Sequence, residues 1–217
     1  MLTDYQIEEL TKRMNIPLGG IYFKDEIPNK IKPNKSYFIN LQDSTDDDGN
    51  HNEGTHWTLL QVNETPKGDI QPIYFDPYGQ PPPEIVKKKV KDTFKKYLPH
   101  TDKDIQSLMN NACGFYCLAL AHFVNSSKYR TNDFYTDVSL FLDMFDDLNT
   151  SVDFKKNEYI LKHFFRAEDP ALRTAIDVIK PIQSISNEDE KGGLDPFQDG
   201  KDKMRLEVDV KYINNKK

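Results

Sequence analysis

Asn111-Ala112-Cys113-Gly114-Phe115-Tyr116-Cys117-Leu118-Ala119-Leu120-Ala121-His122-Phe123-Val124 decides how the chain folds. From Cys113 to Val124 the run is apolar on every side and mixes small with long residues, with no period-two alternation. It reads as a helix covered all round by the rest of the molecule. Its first turn holds Cys113. A helix with no polar face needs a sheet or other helices against it, and the flanking sequence supplies both.

Toward the N-terminus lie the strands. His56-Trp57-Thr58-Leu59-Leu60-Gln61-Val62 and the run from Ile70 to Phe75 are joined by residues 63–69 with Pro66 and Gly68, which predicts a hairpin. Ser36-Tyr37-Phe38-Ile39-Asn40-Leu41 reads as a third strand and Ile21-Tyr22-Phe23 as a short fourth. Thr3, with Gln6 three residues on, forms a capping box for a first helix carrying Ile7, Leu10 and Met14 and ending near Asn15. The acidic stretch 42–54, with Asp43, Asp46, Asp47, Asp48 and Glu53, reads as a solvated loop. A calcium loop is the other reading, but the regular oxygen placement closed by a distal Glu is missing.

Asp76-Pro77-Tyr78-Gly79-Gln80-Pro81-Pro82-Pro83 stops the last strand, and a Lys-rich helix from Glu84 to Leu98 follows with Ile85, Val90 and Phe94 on one face. Beyond Asn125, residues 134–148 are amphipathic and 153–165 predict another helix. Asp169-Pro170 would open one more, running to Lys180. Residues 184–203 read as polar linker or tail, and Leu206, Val208, Val210 and Tyr212 alternate like a final strand. The expected organisation is an α+β domain over residues 1–148, its mostly antiparallel sheet flanked by helices. A helical extension over 149–217 would carry the linker and the last strand.

Composition narrows the function classes. A chain of 217 residues hides about 70% of its unfolded surface on folding, so neither disulfides nor a structural metal is required. A formal net charge of −6 argues against a whole-surface phosphate binder. Nucleic acid would meet only Lys87, Lys88, Lys89, Lys91, Lys95 and Lys96, which, offset by Glu84 and Asp92, read more readily as a solvated helix face than as a DNA track. No run of about 20 apolar residues exists to cross a bilayer, and no secretory signal is legible, so a soluble protein of a reducing compartment is expected. Cys113 and Cys117 make neither a disulfide framework nor a zinc pattern. No metal and no cofactor is expected, and the chain is expected to be a monomer.

The chemistry-bearing residues converge on paper. His56 opens one strand of the hairpin and Asp76 closes its partner, so the two ends would bring imidazole and carboxylate together. The carboxylate would fix the tautomer and steady the imidazolium, leaving the second ring nitrogen for a nucleophile. Cys113, at a helix N-terminus beside that imidazolium, would be held as thiolate. Gly114 would leave room for a substrate carbonyl to reach the Cys113 amide, and Gln106, seven residues before the cysteine, carries a side-chain amide suited to an oxyanion. Trp57 reads both as a core aromatic and as a wall of the substrate cleft. Cys117, one turn on, reads as packing. His51, His100, His122 and His163 have no partner legible in the sequence.

These residues resemble those of the adenovirus maturation protease (adenain) and its relatives: the SUMO-specific and related ubiquitin-like-protein proteases, and the proteases of virophages, Polinton elements and large DNA viruses. The resemblance rests on His56-Trp57, on Tyr74-Phe75-Asp76-Pro77-Tyr78-Gly79, and on Gln106 with Asn111-Ala112-Cys113-Gly114-Phe115-Tyr116-Cys117. It extends to Asn15-Ile16-Pro17, Gly20-Ile21-Tyr22-Phe23 and Asp25-Glu26-Ile27-Pro28, which look like the leader of the virophage and Polinton type, and covers about residues 15–126.

The resemblance implies a papain-like fold and a cysteine endopeptidase with His56 as base, Asp76 as orienting acid, Cys113 as nucleophile and Gln106 as oxyanion donor. It further implies cleavage after Gly-Gly or similar pairs, capsid precursors as substrates, and a place in the virion and host-cell cytoplasm. Leu18-Gly19-Gly20-Ile21 and Gly192-Gly193-Leu194 look like such sites within the chain itself, or else a turn and a linker. Unlike the adenovirus enzyme, the chain is acidic and has no cysteine outside this helix, which argues against activation through a disulfide-linked peptide. Three other readings share the residues: a SUMO or ubiquitin-like-protein protease, an acetyltransferase of the bacterial effector type, and a binding module without activity. The absence of a distributed basic pocket weighs against the acetyltransferase, and the intact set of four residues against the binding module.

Overall fold

In a computed structural model of the chain, the structure describes residues 1–108, 110–149 and 154–168. The expected helix from Asp169-Pro170, the stretch 184–203 with Gly192-Gly193, and the final strand lie outside these residues. The elements run α1 (Asp4–Arg13), β1 (Leu18–Phe23), β2 (Lys35–Asn40), β3 (Trp57–Glu64), β4 (Ile70–Phe75), α2 (Glu84–Phe94), α3 (Cys113–Asn125), α4 (Phe134–Leu142) and α5 (Phe154–Glu168). The four strands form one mixed sheet in the order β1-β2-β3-β4. β2, β3 and β4 pair antiparallel, whereas β1 runs parallel to β2.

Local chemistry explains most boundaries. Thr3 Oγ1 accepts from the Gln6 amide while Gln6 Oε1 accepts from the Thr3 amide, the reciprocal cap that starts α1. Leu18-Gly19-Gly20-Ile21 is not a turn: it lies within β1, paired along β2. A Cβ at Gly19 would come within 2.4 Å of the Tyr37 ring, so that strand reaches its neighbour only because the side chain is missing. On α2 the fully buried residues are Val86 and Val90, with Ile85 and Phe94 half-buried beside them, a face rotated from the expected one. Lys87 pairs with Glu84 and Lys89 bonds Asn29 across the surface.

Both faces of the sheet are covered, and strand alternation sorts the side chains. Phe38, Trp57, Leu59, Ile73 and Phe75 point into the larger core, with Ile7 and Leu10 of α1, nearly all of α3, and Val138 and Phe141 of α4. Tyr37, Ile39, Leu60, Val62 and Tyr74 point the other way, onto Val86 and Val90 of α2. α3 is buried from Cys113 to Ala121 and again at Phe123 and Val124, as its uniform apolarity requires. α5 contributes Ile160, Leu161, Phe164 and Phe165 to that same core, so a division at residue 148 falls inside one packed unit. Among the described residues, no helix is long and apolar enough to cross a membrane.

Candidate active site

His56 precedes β3 and Asp76 follows β4, so both emerge at the same end of the hairpin. His56 Nε2 lies 2.8 Å from Asp76 Oδ1. Asp76 is 1% exposed, and the same oxygen also accepts from the Tyr78 amide at 2.9 Å, while Oδ2 is buried with no donor among the described residues. With Nε2 committed to the carboxylate, Nδ1 is the ring nitrogen left to face Cys113, which is close enough to help raise the His56 pKa. The strand ends and the helix tip thus bring together the imidazole, acid and thiol expected from the sequence.

Burial alone would lower the His56 pKa. The hydrogen bond with Asp76 and the neighbouring Cys113, together with the charges of both, outweigh it and raise the value from 6.5 to about 9. Because the folded value lies above the unfolded one, protonated His56 stabilises the fold. That contribution is complete below about pH 6.5 and is lost as pH climbs through about 9. Urea titrations at stepped pH are expected to show stability falling across this window by on the order of 3 kcal/mol. Cys113→Ala should show a smaller fall, since it removes one of the groups that hold His56 protonated. An identical fall in both proteins would disprove the contact between the two side chains.

Tyr78 was not anticipated as a site residue. Its ring stacks on His56 with centroids 4.5 Å apart and planes 19° from parallel, an arrangement that favours imidazolium over its face. Burial, followed by the charges of Cys113, Asp76 and Asp104, pushes its own pKa up to about 12, which keeps the phenol neutral. The strand register carried the signal: extending the Leu59↔Phe75 pairing three residues toward the hairpin's open end sets position 56 opposite 78.

Gln106 is 1% exposed and stands at the site. Its Nε2 donates to Tyr78 Oη at 3.2 Å and to the Asn110 carbonyl at 3.3 Å, while Oε1 is buried without a partner. Both amide hydrogens are therefore engaged, through long bonds, and one would have to be exchanged for an oxyanion. The Phe115 and Tyr116 amides donate to the Ala112 carbonyl, and the Cys113 amide, at the first position of α3, has no acceptor within the helix.

Trp57 is a core aromatic, as one of its two expected readings has it. It belongs to the larger core, and it lines a cleft of about 650 Å³ with Leu2, Ile21, Tyr22, Phe23 and Gly54. Its Nε1 donates to the Leu2 carbonyl at 2.7 Å. Gly114 faces these two residues: a Cβ there would meet Leu2 Cδ1 at 3.1 Å and Trp57 Cδ1 at 3.4 Å, so the glycine admits Leu2 next to the nucleophile. Cys117 is fully buried, and its thiol donates to the Trp57 carbonyl at 3.4 Å. Burial pushes that thiol well above its ordinary pKa, with the Cys113 and Asp76 charges adding to it. His122 has a partner after all, with Nδ1 3.1 Å from the Met14 carbonyl. In the acidic loop both Asp46 oxygens are taken by the loop itself: Oδ1 accepts from the Asp48 and Asn50 amides and Oδ2 from Asn50 Nδ2.

No protein-family model matches the chain, and a search of curated proteins returned no match.

Proposed function

We propose that the chain is a papain-like cysteine endopeptidase of the adenain and ubiquitin-like-protease type. It would process capsid or virion precursors of a virus or virus-like element at Gly-Gly-type sites, within virions and the host-cell cytoplasm. The observation that carries the reading is the 2.8 Å hydrogen bond between Asp76 and His56, with Cys113 at the start of α3 close enough to help raise the pKa of that imidazole.

In this mechanism the proton already rests on His56 Nδ1, as the raised pKa of the imidazole requires, and the sulfur of Cys113 adds as thiolate to the scissile carbonyl carbon. The carbonyl oxygen, now an oxyanion, receives donors from the Cys113 amide and Gln106 Nε2. Collapse breaks the C–N bond, the amine departs with the proton from His56, and a thioester remains. Water, deprotonated by His56, hydrolyses the thioester and restores the thiolate. Asp76, fixed by the Tyr78 amide as well as by the imidazole, keeps the ring oriented through both halves.

A protease for SUMO or other ubiquitin-like proteins would use the same chemistry. The likeness of residues 15–28 to the virophage and Polinton leader favours capsid maturation. Incubation with a capsid precursor and with a SUMO precursor, followed by mass spectrometry of the products, separates the two. A cut in the capsid protein alone is expected. A cut in the SUMO precursor alone would move the chain to the second reading, and acetyl transfer without any cut would overturn both.

A further inference from the structure

Residues 105–108 and 110–112 carry Gln106 and lead to Cys113, yet they belong to no helix or strand of the fold. Something else must hold this stretch. On the sheet side, the Ile105 and Gln106 amides both donate to the Pro77 carbonyl, at 2.9 and 3.1 Å. On the other side two consecutive residues of α5 take hold of its two ends. Asn157 Nδ2 donates to the Ile105 carbonyl at 3.0 Å, and Glu158 Oε1 accepts from Asn110 Nδ2 at 2.6 Å.

Each grip is anchored further back. Asn157 is 1% exposed; it also donates to the Asp146 carbonyl at 2.7 Å and accepts from the Asp146 amide at 2.8 Å, so its side chain has no freedom to turn. Asn110 is 2% exposed, and its Oδ1 accepts from the Ala112 amide at 3.1 Å, the residue that caps α3 immediately before the nucleophile. The Asn110 carbonyl is one of the two acceptors that hold the Gln106 amide. Glu158 therefore holds, through one asparagine, both the Gln106 side chain and Ala112, the residue immediately before the Cys113 amide. A short bond to a carboxylate is the strong kind of neutral-donor hydrogen bond, suited to fixing a loop that has no ladder of its own.

We infer that Asn157 and Glu158 of α5 are positioning residues for the oxyanion side of the site, acting through Ile105 and Asn110 on Gln106 and the first turn of α3. This makes α5 a working part of the catalytic unit. The inference deepens the thiol-hydrolase reading and rests on it for its kinetic part; its structural part stands independently.

The test uses the full 217-residue chain. Glu158→Ala removes the acceptor, and Asn110→Asp sets two carboxylates against each other. Asn110→Asp combined with Glu158→Gln reinstates the bond with donor and acceptor exchanged. Three readouts are taken: kcat and KM on Leu-Ala-Gly-Gly p-nitroanilide, the rate of Cys113 alkylation by iodoacetamide, and hydrogen exchange over residues 105–112. Each single variant is expected to lower kcat by roughly 10- to 100-fold, with KM and the alkylation rate little changed, and to speed exchange over the loop. The double variant is expected to recover most of the kcat and the exchange protection, which a merely structural role for α5 would not produce. Wild-type kcat and exchange in the single variants overturn the inference, as does a double variant no better than Asn110→Asp alone. Should the wild-type protein leave the peptide uncut, the hydrolase reading fails, and the exchange data alone decide the clamp: loosening in the single variants and recovery in the double support it, and unchanged exchange overturns it.

Discussion

Cys113→Ala is expected to abolish peptide cleavage, a loss on the scale of 10⁶-fold, about that seen when a hydrolase is stripped of its nucleophile. Cys117→Ala is expected to keep turnover. The two thiols sit one helical turn apart on α3, but their surroundings differ. Cys113 acts on the His56 imidazole, whereas Cys117 is sealed in the core, donates a hydrogen bond to the Trp57 carbonyl and is driven toward the neutral thiol by burial. Removing the Cys117 sulfur should cost about 1–2 kcal/mol, from the lost hydrogen bond and a small void, and lower Tm by a few degrees. Iodoacetamide should add a single mass increment to the folded protein, mapped to Cys113. Turnover that survives in Cys113→Ala and disappears in Cys117→Ala would exchange the two roles and end the proposed mechanism.

Asp76→Asn should be the next most damaging change, lowering kcat by about 10³–10⁴-fold with little change of shape. The carboxylate accepts from His56 Nε2 and from the Tyr78 amide on the same oxygen. An amide in its place carries no charge to steady imidazolium and offers the ring an N–H, which favours the tautomer with its proton on Nδ1, the nitrogen that must accept from sulfur. The hydrogen bond and charge of Asp76 are among the causes that hold His56 near 9. An NMR titration of the imidazole should therefore show its pKa moving down in Asp76→Asn. A variant that keeps wild-type kcat with an unmoved titration would remove Asp76 from the mechanism.

The His56 and Asp76 pair was legible because each residue abuts an apolar strand of obvious period, and a hairpin leaves little freedom in where its ends fall. Cys113 was legible from the abrupt onset of an apolar run, and α1 from its capping box. Other features were hidden for physical reasons. Tyr78 is one aromatic in a proline-flanked turn, and its stacking depends on a register that only the paired strands define. The parallel seating of β1 depends on Gly19 fitting beneath Tyr37, a contact between segments joined by an irregular connection. Asn157 and Glu158 lie among the polar positions of an amphipathic helix, where a residue gripping a loop and a residue facing water look alike in sequence. Leu2 has no motif at all; its place beside Gly114 emerges only when α1 docks on α3.

The contact between Trp57 and Leu2 has a practical corollary. Trp57 is the chain's sole tryptophan, and its indole nitrogen is tied to the backbone of the N-terminal segment at the edge of the cleft. Intrinsic fluorescence excited at the indole band is thus a one-position optical gauge of whether residues 1–3 stay seated. A peptide that displaces Leu2 should shift the emission maximum without any label being attached.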